Sequence, residues 1–352
     1  MGNLTHQRPV GEALKGYSWQ KNAYLETEML NATPLIEVWR GEFLESQHRG
    51  HAVVCNFEGE ILEAWGDPEH VILPRSSCKI LQALPLVTSG AAAAQGLTAR
   101  HLALACASHQ GADIHSQLVL DWLGQLGKTD ADFRCGTQWP RDIPASNHLV
   151  KTDQSACRYH NNCSGKHCGF LTLAQHLRAV PEYHEVDHPV QIAVRAAFEE
   201  MTGETSPGYG IDGCSAPNWA CSIAGLARAM ARCAAGGADP LGKAASQLRD
   251  AMMAHPELVA GETRACTELM RAAPGVALKT GAEAVFIAII PGLRAGIAVK
   301  IEDGATRASE ALITALLIRL GVLEAYHPAA LKRLGPIHNW DGLQTGQISA
   351  VL

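Results

Sequence analysis

The chain lacks an excess of positive charge. Its 29 Lys and Arg stand against 35 Asp and Glu, a formal net charge of -6, and leave no basic footprint for nucleic acid. It lacks any run of eighteen consecutive apolar residues, so no membrane span is expected. Residues 1–24 are polar, contain Glu12 and hold no apolar stretch of the kind a secretory leader carries, so none is expected there. Sequence repeats and low-complexity tracts are absent as well. Cysteine is not scarce, but eleven is an odd number. In a chain without a leader, that points to a reduced, cytoplasmic protein in which some cysteines serve as ligands. What is present is apolar: 47% of the 352 residues are hydrophobic, enough for one large domain or two medium ones.

The apolar pattern changes twice along the chain. Residues 1–30 read as an extension with little structure. Short β-rich runs follow at 35–39, 52–56 and 61–65, the last two joined by a turn at Glu58-Gly59. Beyond Pro74, an apolar period from Ser76 to Val87 predicts a helix with a small gap at Pro85. Residues 98–130 read as helical and 131–165 as loop. Helical patterns resume at 170–180, 190–201, 220–235 and 240–254, and a Gly/Pro/Ser-rich loop at 206–217 holds Asp212 and Cys214. Strand patterns return at 276–278, 284–290 and 295–301, and a final helix covers 308–320. The expected fold class is α/β. Residues 31–95 and 275–352 form an antiparallel sheet flanked by helices, and 96–274 form an inserted, mainly helical domain. The active site would lie in the cleft between them.

Two short lysine motifs stand out by their order. Ser76-Ser77-Cys78-Lys79 is an S-x-x-K, and Lys279-Thr280-Gly281 is a K-T-G that opens a strand-like run. Each is common alone. In this order they match the serine-nucleophile scheme of β-lactamases and penicillin-binding proteins. Ser76 and Lys79, three residues apart on a helix, share a face. A serine hydroxyl needs a base, and a lysine can be one if burial or a second cation such as Lys279 lowers its pKa from roughly 10.4. Against this stands the plain reading of a helix start, with Ser76 as cap and Lys79 in solvent. Ser108, in Ala105-Cys106-Ala107-Ser108-His109, is either a proton relay or a residue at a helix end.

A third group is richer in soft donors: Cys157, His160, Cys163, Lys166, His167 and Cys168, then Asp212 and Cys214. Thiolates favour zinc, but spacing does not choose ligands among these, and buried cysteines often act as small hydrophobes.

Taken together, Arg75-Ser76-x-x-Lys79, Gln82-Ala83-Leu84-Pro85, Cys106-Ala107-Ser108-His109, Asn162-Cys163-Ser164-Gly165-Lys166-His167, Asp212-Gly213-Cys214 and Lys279-Thr280-Gly281 resemble the Rhizobium-type, or class 3, L-asparaginases. The resemblance runs from Thr33 to the final helix. It implies a serine β-lactamase-like and glutaminase-like fold, a homodimer, and hydrolysis of L-asparagine to L-aspartate and ammonia. It implies catalytic pairs Ser76 with Lys79 and Ser108 with Lys279, Ser76 being the nucleophile. It implies zinc on Cys163, Lys166 and Cys214, assisting substrate binding. Arg75, His167 and Asp212 would contact substrate, and Cys266 would lie close by without being a nucleophile. The alternatives are another amidase on the same scaffold, a glutaminase or β-lactam hydrolase, or a zinc-binding protein without catalysis.

Overall fold

A computed structural model describes residues 31–352; the expected extension over residues 1–30 lies outside them. Among the described residues twelve strands are formed: β1 Thr33–Arg40, β2 Phe43–Asn56, β3 Ile61–Trp65, β4 Val71–Ile72, β5 Tyr209–Ile211, β6 Pro217–Trp219, β7 Cys221–Ser222, β8 Ala277–Thr280, β9 Val285–Ile290, β10 Ala295–Ile301, β11 Gly335–His338 and β12 Gln344–Ala350. Eight of them make one antiparallel sheet in the order β11-β12-β1-β2-β10-β9-β8, with β3 also paired to β2. Val54 lies opposite Ile297, and Ile297 opposite Ala288. Every residue of β9, Val-Phe-Ile-Ala-Ile-Ile, is buried. A continuous apolar run of this kind marks a strand covered on both faces, and the helices Ile223–Ala235 and Thr306–Arg319 both pack on β9 and β10. This α/β architecture, an antiparallel sheet flanked by helices with mainly helical chain inserted between its halves, is the expected one.

One apolar core runs from the sheet (Ile36, Val54, Ile287) into the helices (Leu84, Leu104, Leu226). Each such side chain contributes roughly 1.5–3 kcal/mol. Ala32–Leu352 form one compact unit. No helix among the described residues is long and apolar enough to cross a membrane.

The differences from expectation have local causes. The stretch expected to be helical over 98–130 is two helices, Ala99–Ala105 and Asp113–Gln125. Between them the N–H groups of Ser108 and His109 leave the helical ladder for Val259 O and Asn162 O. The expected loop at 131–165 contains the helix Ile143–Lys151, started by Asp142, whose carboxylate accepts the Ala145 N–H at 3.0 Å. The helix Lys79–Thr88 runs through Pro85 without a gap. The loop at 206–217 is a hairpin, β5–β6, and the C-terminal hairpin β11–β12 extends the sheet beyond the last expected helix.

Candidate active site

The S-x-x-K motif sits on a single 3-10 turn, Arg75–Cys78, which feeds the helix Lys79–Thr88. The turn is tied at its start: Pro74 O accepts the Ser77 N–H at 3.2 Å and the Ser77 hydroxyl at 2.7 Å. Arg75 has φ +53°, a left-handed conformation that an L side chain adopts at a cost. Ser76 is half-buried, and its hydroxyl has no partner among the described residues.

The K-T-G motif, two hundred residues later, reaches this same turn. A Cβ on Gly281 would sit 2.7 Å from Pro74 O and 3.1 Å from Ser77 N. Only a residue without a side chain lets the end of β8 approach the backbone so closely. Gly281→Ala must therefore push β8 off the serine turn. We expect a kcat loss of roughly 10²-fold, measured beside a melting curve that shows the variant still folded.

Both motif lysines are buried, Lys79 at 0% and Lys279 at 1% exposure. Lys79 Nζ meets Ser108 Oγ at 2.9 Å, Cys163 Sγ at 3.1 Å and the Ala107 carbonyl. The serine bonded to Lys79 is thus Ser108, and no hydrogen bond joins Ser76 to Lys79 or Ser108 to Lys279. Lys279 Nζ donates to Thr280 O at 2.6 Å, and the Thr280 N–H donates to Cys266 Sγ at 3.2 Å. Burial drives the Lys279 amine down to about 7; Cys266 pulls it up, and Lys79 and Arg264 push it further down.

The donor cluster forms where three segments converge. A Cβ on Gly165 would lie 2.3 Å from Leu104 O, so the missing side chain lets the helix Ser164–His176 press on the helix ending at Ala105. That contact sets Cys163 and Lys166 beside the Ser108 loop. Cys214 comes from the turn of the β5–β6 hairpin, and Lys166 Nζ lies 3.0 Å from its Sγ. Cys163 and Cys214 shift each other's titration in opposite directions. The Cys163 bond holds Cys214 far below the usual thiol range, against its burial and with help from Lys166. Cys163 is pushed up by that bond and by burial. Burial disfavours the Lys166 ammonium, but Cys214, Cys163 and Asp212 outweigh it. Two buried sulfurs and an amine nitrogen form a donor set that suits zinc, provided Lys166 gives up its proton.

Asp212 is two residues before Cys214 in the same turn. Its Oδ1 accepts Arg75 Nε at 3.1 Å, Arg75 Nη2 at 2.8 Å and the Gly213 N–H at 2.8 Å. Burial would raise its pKa, yet Lys166 and Arg75 hold it below the carboxylate range. His167 lies apart from this pair. It is fully buried, bonded through Nδ1 to the Tyr183 hydroxyl at 2.8 Å and set edge-on to Phe133, Phe170 and Tyr183.

Two features escaped the sequence reading. Asn218, on β6, accepts the Arg75 N–H at 3.0 Å; in Pro217-Asn218-Trp219 it carries no motif. His51, His70 and Glu302 form a compact cluster, with both Nε2 atoms 3.4 Å from Glu302 Oε1 and the rings stacked at 4.3 Å. Its geometry resembles a metal site. However, His51 Nδ1 accepts the Asp67 N–H at 2.9 Å, so the proton of the neutral ring sits on Nε2 and leaves no lone pair for a metal. The cluster is a carboxylate beside two imidazoles.

The family model described as L-asparaginase II matches residues 36–350. No curated protein matches the chain. Among solved structures it is similar to Mglu in its native form, at 15% identity and a TM-score of 0.36 over 80% of this chain and 67% of that one. It is also similar to a β-lactamase (Mb2281c) from Mycobacterium bovis, at 12% identity and a TM-score of 0.31 over 77% of this chain and 94% of that one. Both likenesses are loose.

Proposed function

Since the chain belongs to the L-asparaginase II family, we propose that it hydrolyses L-asparagine to L-aspartate and ammonia, with Ser76 as nucleophile and lysine as base. The observation that carries the reading is the approach of Gly281 to the Pro74–Ser77 backbone. It sets the end of the strand that carries Lys279 against the turn that carries Ser76.

The substrate is a zwitterion, and Arg75 and Asp212 are a ready match for its two charges. They pair with each other at 2.8 Å. An amino acid entering between them would place its carboxylate on Arg75 and its ammonium on Asp212. The side-chain amide would then lie at Ser76. Lysine accepts the Ser76 proton and the oxygen attacks the amide carbon. Of the N–H groups at the turn, that of Arg75 is bonded to Asn218 and that of Ser77 to Pro74. The Ser76 N–H is the donor that faces the developing oxyanion. Ammonia leaves with a proton returned by lysine, and water resolves the acyl-enzyme. Ser108, bonded to Lys79, relays protons from inside the site. Ammonia release from L-asparagine, with L-glutamine in parallel, tests the substrate. Release from glutamine alone would turn the reading to a glutaminase, and release from neither would remove it.

Cys163, Lys166 and Cys214 would hold zinc, which supplies positive charge near the substrate's binding groups. Cys214→Ala is the cleaner probe, because Cys163 also bonds Lys79. Its expected result is loss of bound zinc by elemental analysis and a KM raised roughly tenfold, with a smaller change in kcat. A large kcat drop at constant KM would assign the metal to the chemical step instead.

A further inference from the structure

Arg75 is the residue before the proposed nucleophile, and its backbone is the one strained point of the serine turn, at φ +53°. Asn218 holds that backbone from both sides. Its Oδ1 accepts the Arg75 N–H at 3.0 Å, and its Nδ2 donates to Arg75 O at 3.4 Å and to Cys78 Sγ at 3.7 Å. The amide orientation is fixed by its partners, since an N–H needs an acceptor and a C=O needs a donor. Asn218 is itself 1% exposed. It is placed by the β5–β6 hairpin, where it lies opposite Gly210. The same hairpin carries Asp212, which grips the Arg75 guanidinium. One hairpin thus holds Arg75 by side chain and by peptide.

We propose that Asn218 is a positioning residue that keeps Arg75 in its left-handed conformation and thereby aims the Ser76 hydroxyl. A left-handed residue other than glycine persists only where its surroundings over-determine it, and the two-sided clasp supplies that. Without it, Arg75 can relax to negative φ. The peptide between Arg75 and Ser76 then turns, and the hydroxyl leaves the mouth of the site. The inference rests on the reading of Ser76 as nucleophile.

The test compares wild type, Asn218→Ala and Asn218→Asp in the full chain, with melting temperature and zinc content measured beside kcat and KM. Asn218→Ala should lose roughly 10²-fold in kcat while remaining folded. Asn218→Asp gives a readout that a merely structural role would not move. As a carboxylate it cannot donate to Arg75 O. Once protonated it can both donate and accept, so the ratio of its activity to wild type should climb as pH falls from 8 to 5. Of the groups bonded to Asn218, the Cys78 thiol titrates, and burial pushes it up to about 12, outside that window. The rate at which a fluorophosphonate labels Ser76, read from the mass of its peptide, should follow the same order whatever amide is the substrate. A wild type active on no amide yet labelled at Ser76, with Asn218→Ala labelled far more slowly, would sink the asparaginase reading and keep the clasp. Equal labelling of folded Asn218→Ala, or a flat Asn218→Asp ratio, would overturn the clasp.

Discussion

Ser76→Ala should abolish ammonia release from L-asparagine, by at least roughly 10³-fold in kcat, and leave zinc content and melting temperature near those of wild type. The second half follows from the structure. Ser76 is half-buried and its hydroxyl makes no hydrogen bond among the described residues, whereas its neighbour Ser77 is buried and bonded to Pro74. Ser108→Ala should behave differently. Ser108 is 8% exposed and bonded to Lys79, so its loss removes a relay and also loosens a buried lysine. We expect a smaller kcat loss, accompanied by a lower melting temperature. Acid-quenched turnover, followed by peptide mass analysis, would find the aspartyl adduct on Ser76. An adduct on Ser108, with turnover surviving in Ser76→Ala, would exchange the two roles.

The second large effect concerns pH. Burial brings the Lys279 amine to about 7, so it is mostly neutral, and able to take a proton, above that pH. The profile of kcat/KM should therefore rise from acid and level off above a midpoint near 7. Lys279→Met should cost roughly 10²- to 10⁴-fold and erase that limb, and Lys279→Arg should cost as much, because a guanidinium stays charged. If the limb survives in Lys279→Met, it belongs to another group, with Lys79 first in line. Stability carries the same signature. Between about 7 and the ordinary lysine range the unfolded chain binds a proton that the native protein does not, so native stability rises with pH across that window. In Lys279→Met this rise should disappear.

Much of the site was legible because catalysis restricts residue type. Ser76, Lys79 and Lys279 stood in short motifs, whereas Cys163 and Cys214 came only with the family resemblance; Lys79 lies 3.1 Å from Cys163. What spacing does not encode is which lysine touches which serine. Lys79 turned toward Ser108 because the loop at 106–112 breaks the helix there, and the partners of that break, Val259 O and Asn162 O, are distant in sequence. Asn218 was invisible for the same reason: its task is to bond a peptide 143 residues away, and no local pattern announces that. In the fold, strands with continuous apolar runs, such as β9 and β10, could be read directly. The β11–β12 hairpin could not, since Gln344–Ala350 is polar and half-exposed and takes its strand form from pairing with β1.

That pairing bears on how the molecule is made. Ile36 lies opposite Ala350, and Val54 opposite Ile297. Strands β1 and β2 thus wait for partners made long after them. At about 5–20 residues per second, the wait is on the order of ten seconds or more. Through it, the edge of β2 that takes β10 is unpaired along the apolar stretch Ala52–Cys55, the kind of surface that seeks another chain. High contact order of this sort slows closure. The serine turn is not gripped by Gly281 until β8 joins the sheet, so the contact waits on a strand made two hundred residues later. A nascent or truncated chain carries Ser76 without the strand end that packs on its turn.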